Sequence, residues 1–144
     1  MDITERIMEK KAYLVDIFPE TVPQKADNRY FDVERYFQRN RSEFDRKLTA
    51  VILKLYCYFD YTVESEDRVI ENPQTAELTV LLEKCFRGES GYINIVLTEC
   101  EAMLTVNRDD LYMTVYNVSG RAKELLAELT VSEGLFFYEA PTEG

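Results

Sequence analysis

The chain has 144 residues, of which 46% are hydrophobic and 12% aromatic. Disordered chains carry far fewer apolar and aromatic residues, so this composition excludes intrinsic disorder and predicts one globular domain over residues 1–144. The formal net charge of −10 disfavours nucleic acid and anionic membranes as partners, because binding to phosphate groups relies on clustered Lys and Arg.

The N-terminal quarter is predicted to form a helix and then a strand. Apolar residues recur on one side of residues 2–10, which favours a short helix. The run AYLVDIFP alternates with the period of a strand and ends at Pro19. The polar segment at residues 19–28 contains two prolines, Pro19 and Pro23, and is predicted to be a loop.

Two helices are predicted between residues 29 and 59, joined near residues 39–41. The second has the clearer pattern, with Phe44, Leu48, Val51, Ile52, Leu55 and Phe59 at steps of three and four residues. Segment 60–71 fits either a strand or an exposed connection, because acidic residues interrupt its apolar positions. Both interpretations stay open.

A further helix is predicted to begin at Asn72 as N-cap and Pro73 as first helical residue, and to end before Gly88. Three strands follow, at residues 91–97, 102–106 and 111–116, and their short connections favour an antiparallel meander. A last helix between Ser119 and Gly134 leads to a final strand at 135–138 and a frayed tail at 139–144.

These elements predict an α+β fold in which an N-terminal strand and a helical layer pack on one face of a C-terminal antiparallel sheet. Strand alternation leaves a polar and aromatic second face. Its predicted members are Tyr92, Asn94, Val96, Thr105, Tyr112, Thr114 and Tyr116.

The three cysteines are an odd number without C-x-x-C spacing, which favours reduced thiols over a disulfide framework. Cys57 and Cys85 fall on the apolar faces of predicted helices and are expected in the core. The charged N-terminal residues do not resemble a secretory leader, and no apolar run is long enough to span a bilayer, so a cytoplasmic location is expected.

The absence of histidine removes His-dependent catalytic triads and the common mixed zinc sites. No glycine-rich phosphate-binding motif is present either. No catalytic residue, cofactor or metal ligand set is therefore predicted, and an enzyme is the less favoured interpretation.

Three local features each allow two interpretations. Asp109 and Asp110 fit a hairpin turn better than a cation site. Cys100 lies between Glu99 and Glu101, whose charges disfavour a reactive thiolate. Two aromatic groups are typical of core packing rather than a ligand pocket: Tyr30, Phe31, Tyr36 and Phe37, and Tyr56, Tyr58, Phe59 and Tyr61.

The charge distribution leads to the functional hypothesis. Residues 89–144 hold ten acidic residues against three basic ones. The sequence thus predicts a protein-binding module, similar in kind to an immunity protein or inhibitor, that recognises a basic surface on another protein. The candidate interaction surface comprises Tyr92, Tyr112, Tyr116, Glu99, Glu101, Asp109 and Asp110. The alternative is a small-ligand binder or carboxylate-dependent enzyme with a pocket between the helices and the sheet.

Overall fold

The computed structural model describes residues 3–141, so residue 2 of the predicted first helix and residues 142–144 of the predicted frayed tail lie outside the described residues. Within that range the fold is α+β, as predicted, with five α-helices and a seven-stranded sheet. In chain order the elements are α1 (Ile3–Met8), β1 (Ala12–Asp16), α2 (Asn28–Arg39), α3 (Arg41–Tyr56), β2 (Tyr61–Glu64), β3 (Val69–Glu71), α4 (Thr75–Phe86), β4 (Tyr92–Leu97), β5 (Ala102–Asn107), β6 (Tyr112–Tyr116), α5 (Gly120–Ser132) and β7 (Phe136–Glu139).

The sheet has the strand order β3-β2-β4-β5-β6-β1-β7, and every neighbouring pair is antiparallel. The predicted meander of β4, β5 and β6 is confirmed. The N-terminal strand β1 lies within the sheet, where Val15 pairs with Met113 of β6 and with Phe137 of β7. The ambiguous segment 60–71 forms the hairpin of β2 and β3, joined by an exposed acidic turn at residues 66–67.

Helices α3, α4 and α5 bury their apolar stripes against one face of the sheet. This layer forms one continuous core, in which the fully buried side chains include Leu48, Ile52, Leu82, Leu126, Ile95 and Leu104. Five of the six residues of the stripe predicted for α3 are buried in that helix, namely Phe44, Leu48, Val51, Ile52 and Leu55. The sixth, Phe59, lies beyond the end of α3 at Tyr56 and is partly buried against the core. Burial of apolar surface on this scale is the main favourable term in folding.

The opposite face of the sheet is covered only in part. On it, Ile7 of α1 packs against Val96, Met103 and Tyr116. These positions alternate with core residues such as Ile95, Leu104 and Val115, as the strand period requires.

Phe31 and Tyr36 of α2 are not core residues, although the sequence favoured that interpretation, whereas Phe37 packs partly buried against the core. No residue of α2 is buried, and Phe31 and Tyr36 are 55% and 61% exposed. The core interpretation holds for Tyr61, whose hydroxyl donates to the Ile52 carbonyl at 2.7 Å and whose ring stacks on Tyr56.

The end of α4 agrees with the sequence pattern better than its beginning does. Gly88 follows α4 with φ of +86°, the left-handed conformation predicted for it. The helix itself begins at Thr75, so the predicted cap at Asn72 is wrong by more than one residue. The Asn72 side-chain oxygen instead accepts a hydrogen bond from the Tyr61 backbone N–H at 3.0 Å.

The cysteines differ in their burial. Cys85 is in the core, where burial raises the pKa of its thiol to about 11. Cys57 and Cys100 are exposed. The expectation of a core position for Cys57 is wrong, because α3 ends at Tyr56 and Cys57 falls in the turn that follows.

Replacing a core residue of α4 is expected to be costly. Leu82→Ala should lower the free energy of unfolding by about 3 kcal/mol, because it removes buried methyl groups and leaves a cavity. Val80→Ala on the same helix, at a site that is 45% exposed, is the control and should cost under about 0.5 kcal/mol. Urea unfolding measures both values, and equal costs would contradict this account of the core.

Thr130 offers a stabilising change. It is fully buried in α5, and its hydroxyl finds no hydrogen-bond partner among residues 3–141. Because a buried hydroxyl without a partner is destabilising, Thr130→Val should raise the free energy of unfolding by about 1 kcal/mol. Thr79→Val is the control, because the Thr79 hydroxyl donates to the Thr75 carbonyl at 2.9 Å. Thermal unfolding should show a gain for the first variant and none for the second.

Candidate functional site

A cleft of about 500 Å³ lies on the less covered face of the sheet, at the end of β1. Its floor includes Leu14 and Asp16 of β1 together with Tyr112 and Tyr138 from the flanking strands β6 and β7. The loop after β1 and the first residues of α2 form the other wall. The cleft thus lies between the sheet and the segment that leads from β1 into α2.

Two kinds of side chain dominate this cleft. It is lined by six carboxylates, Asp16, Glu20, Asp27, Glu34, Asp109 and Asp110, and by five aromatic rings, Phe18, Tyr30, Phe31, Tyr112 and Tyr138. Within residues 3–141, no Lys or Arg lines it. We call this feature the acidic cleft. Its lining favours cations and repels anions.

Asp16 is the most buried carboxylate of the acidic cleft, with 9% of its surface exposed. It is the last residue of β1, where the strand period turns its side chain away from the core that receives Val15. One carboxylate oxygen accepts a hydrogen bond from the Ile17 backbone N–H at 2.7 Å, and the other accepts from the Tyr138 hydroxyl. Burial raises the pKa of Asp16, and these hydrogen bonds oppose that rise.

Three tyrosines surround the Asp16 carboxylate. Burial raises the pKa of Tyr138, and the hydrogen bond to Asp16 raises it further. Burial also raises the pKa of Tyr30 and of Tyr112, and the charge of Asp16 adds to both shifts. The Tyr30 hydroxyl donates to Glu34 at 3.2 Å. All three hydroxyls therefore stay protonated and act as donors near neutral pH.

Asp110 is the second half-buried carboxylate of the acidic cleft. Burial raises its pKa, and a hydrogen bond from the Asn107 side-chain amide at 3.2 Å opposes that rise. The backbone of its turn is held by the helices, because Gln38 donates to the Asp109 carbonyl at 2.7 Å and Arg41 donates to the Asp110 carbonyl at 3.2 Å. The turn between β5 and β6 is thereby fixed to α2 and α3.

The seven residues of the predicted interaction surface do not lie together. Asp109, Asp110 and Tyr112 line the acidic cleft. The remaining four lie outside it. Tyr92 is the first residue of β4, two strands away from β6, and Tyr116 packs on α1. Glu99 and Glu101 lie at the turn between β4 and β5, at the opposite end of the strands from the cleft. Glu101 lines a second cavity of about 410 Å³ together with Arg6 and Lys10, whose charges offset its own.

The site residues that the sequence pattern missed are Asp16, Tyr30, Glu34 and Tyr138. Asp16 interrupts an otherwise apolar strand, and a polar residue at such a position was the available signal. The alternative prediction placed a pocket between the helical layer and the sheet. Core side chains of α3, α4 and α5 fill that space, and the acidic cleft lies on the other face.

The described residues present neither a metal cluster nor a membrane span. No three His, Cys, Asp or Glu side chains of residues 3–141 group in a way that would hold a metal ion, although six carboxylates line the acidic cleft. Among the same residues, no helix has the length and apolar content needed to cross a bilayer.

Comparison with protein-family models, with characterised proteins and with solved structures gives no significant match to this chain.

The raised pKa of Asp16 gives a pH-dependent prediction. Because the folded-state pKa lies above the unfolded value of 3.8, the protonated group favours the fold, and this contribution is lost as pH rises through the folded-state pKa. Asp16→Asn removes the buried charge, and the amide can still accept from Ile17 and contact Tyr138. The variant should be more stable than the wild type near pH 7, with the difference shrinking toward about pH 4.

Urea unfolding of both proteins across this pH range tests the prediction. Asp109→Asn is the matched control, because it removes one negative charge from a side chain that is 85% exposed. A stability difference between Asp16→Asn and wild type that widens as pH falls would contradict the assigned burial cost.

Proposed function

We propose that the protein is a binding module that accepts a basic segment of a protein partner in the acidic cleft. The observation that carries this proposal is the lining of the cleft, where six carboxylates and five aromatic rings occur without a Lys or Arg among the described residues. Aromatic faces and carboxylates together are the groups that bind organic cations.

The charge of the whole chain supports the same partner class. With a net charge of −10, the protein attracts basic surfaces over a distance of about a Debye length and repels phosphate-rich polymers. We therefore propose a protein partner rather than nucleic acid or a membrane. The six carboxylates of the acidic cleft come from both halves of the chain. The attraction of a basic partner is therefore not confined to the C-terminal half.

The dimensions of the acidic cleft suit an anchoring side chain. Its volume of about 500 Å³ is within the usual range for sites that enclose a small ligand. One long basic side chain can enter it while the remainder of the partner covers the exposed rings of the rim, such as Phe31. The free cysteines support a cytoplasmic location within this proposal.

A second candidate function is general acid–base catalysis. It is favoured by one observation, namely that Asp16 and Asp110 line the same cleft and both have a pKa raised by burial. Carboxyl groups tuned in this way serve as proton donors and acceptors in many enzymes. We rank this candidate second, because structural carboxylates in partly buried turns show similar shifts.

The proposal is tested by titrating the protein with an acetylated, amidated hexapeptide of alternating Lys and Arg. Calorimetry should show binding at about 20 mM salt that weakens about tenfold or more at about 300 mM salt, because screening reduces charge attraction. Amide chemical shifts should change around Asp16, Tyr30 and Asp110.

Two variants that each remove one negative charge sharpen the test. Asp110→Asn, in the acidic cleft, should weaken binding of the peptide several-fold. Glu83→Gln, on the exposed side of α4 over the opposite face of the sheet, should leave the affinity close to that of the wild type. Absence of binding at low salt, or equal loss in both variants, would overturn the proposal.

A further inference from the structure

We infer that the group bound in the acidic cleft is the guanidinium of an arginine side chain, with Asp16 as its buried counterion. The inference rests on the proposed function and narrows it from basic partners in general to one side chain. Three properties of the cleft lead to it: the unpaired charge of Asp16, its depth, and the arrangement of the rings.

The Asp16 carboxylate has acceptor capacity that the protein does not use. The Ile17 and Phe18 backbone N–H groups and the Tyr138 hydroxyl donate hydrogen bonds to it, whereas a carboxylate offers about four acceptor positions. No Lys or Arg of residues 3–141 contacts this carboxylate or shifts its pKa. Its negative charge is buried without a counterion in the described part of the chain. A cation that enters the cleft supplies one.

The depth of Asp16 selects between the two basic side chains. Because only 9% of its surface is exposed, a cation must lose most of its water to reach it. A guanidinium is more weakly hydrated than an ammonium, so arginine loses less on entry than lysine does. A guanidinium also carries five N–H donors, for which Glu34 and Asp110 provide further acceptors in the same cleft.

The aromatic rings form two walls that suit a flat cation. Phe18, Tyr30 and Phe31 form a continuous series above the floor, with ring centroids 6.0 and 5.8 Å apart. Tyr112 and Tyr138 come from the sheet below. A guanidinium can stack on aromatic faces while its edge points to a carboxylate, whereas an ammonium is a compact, strongly hydrated charge.

The test compares acetylated, amidated hexa-arginine with hexalysine, which carry equal charge. Calorimetry on the wild-type protein should give about tenfold tighter binding for hexa-arginine. Asp16→Asn and Tyr30→Leu should each bring this ratio close to one, while Glu83→Gln should keep it. Tyr30→Leu changes no charge and lies on the partly exposed helix α2, so it carries the test if Asp16→Asn fails to fold.

The outcomes separate this inference from the proposed function. Equal affinity for the two peptides overturns the guanidinium inference and leaves the binding module in place. Binding of neither peptide overturns both. A tenfold preference that survives in Asp16→Asn and in Tyr30→Leu also overturns the inference, because it places selectivity elsewhere.

Butylguanidinium is included to distinguish a free small guanidine from an arginine in a protein. It should bind at least about tenfold more weakly than hexa-arginine, because the peptide also contacts the rim. Equal affinity would overturn the assignment to a protein side chain.

Discussion

Packing of three helices on a single face of the sheet is the constraint on which the other features of this molecule depend. Once α3, α4 and α5 have buried their apolar stripes there, the second face is covered, among residues 3–141, by α1, the loop before α2 and the first turns of α2. These segments leave part of that face open. The strands must then present side chains that tolerate water or a partner, and the acidic cleft occupies the part left open.

Under the proposed function, stability and binding are in opposition at Asp16. Its burial without a counterion makes the folded protein less stable near neutral pH than an uncharged residue would. The fold tolerates this because β1 is hydrogen-bonded on both sides by β6 and β7, so the backbone that carries Asp16 is held in place. Local destabilisation of this kind is common at the functional sites of proteins.

Periodicity in the sequence predicted the elements in which the buried residues recur with the spacing of a helix or a strand. The α3 stripe, β1 and the meander of β4 to β6 are of this kind. The acidic cleft could not be predicted in the same way, since its groups meet only in the folded chain. Asp16 and Tyr138 are 122 positions apart in the sequence, and Gln38 and Asp109 are 71 apart. Phe31 and Tyr36 of α2 were misassigned to the core because helical spacing does not reveal which side of a sheet a helix joins.

The position of Pro141 has a practical consequence for work on the protein in solution. This residue lines the acidic cleft, so a purification tag fused directly after Pro141 begins at the cleft. A tag rich in basic or protonatable groups could then occupy the site within its own molecule and compete with any added ligand at a high effective concentration. The N-terminal side is the safer point of attachment, because α1 covers the other end of the strands, around Val96 and Met103.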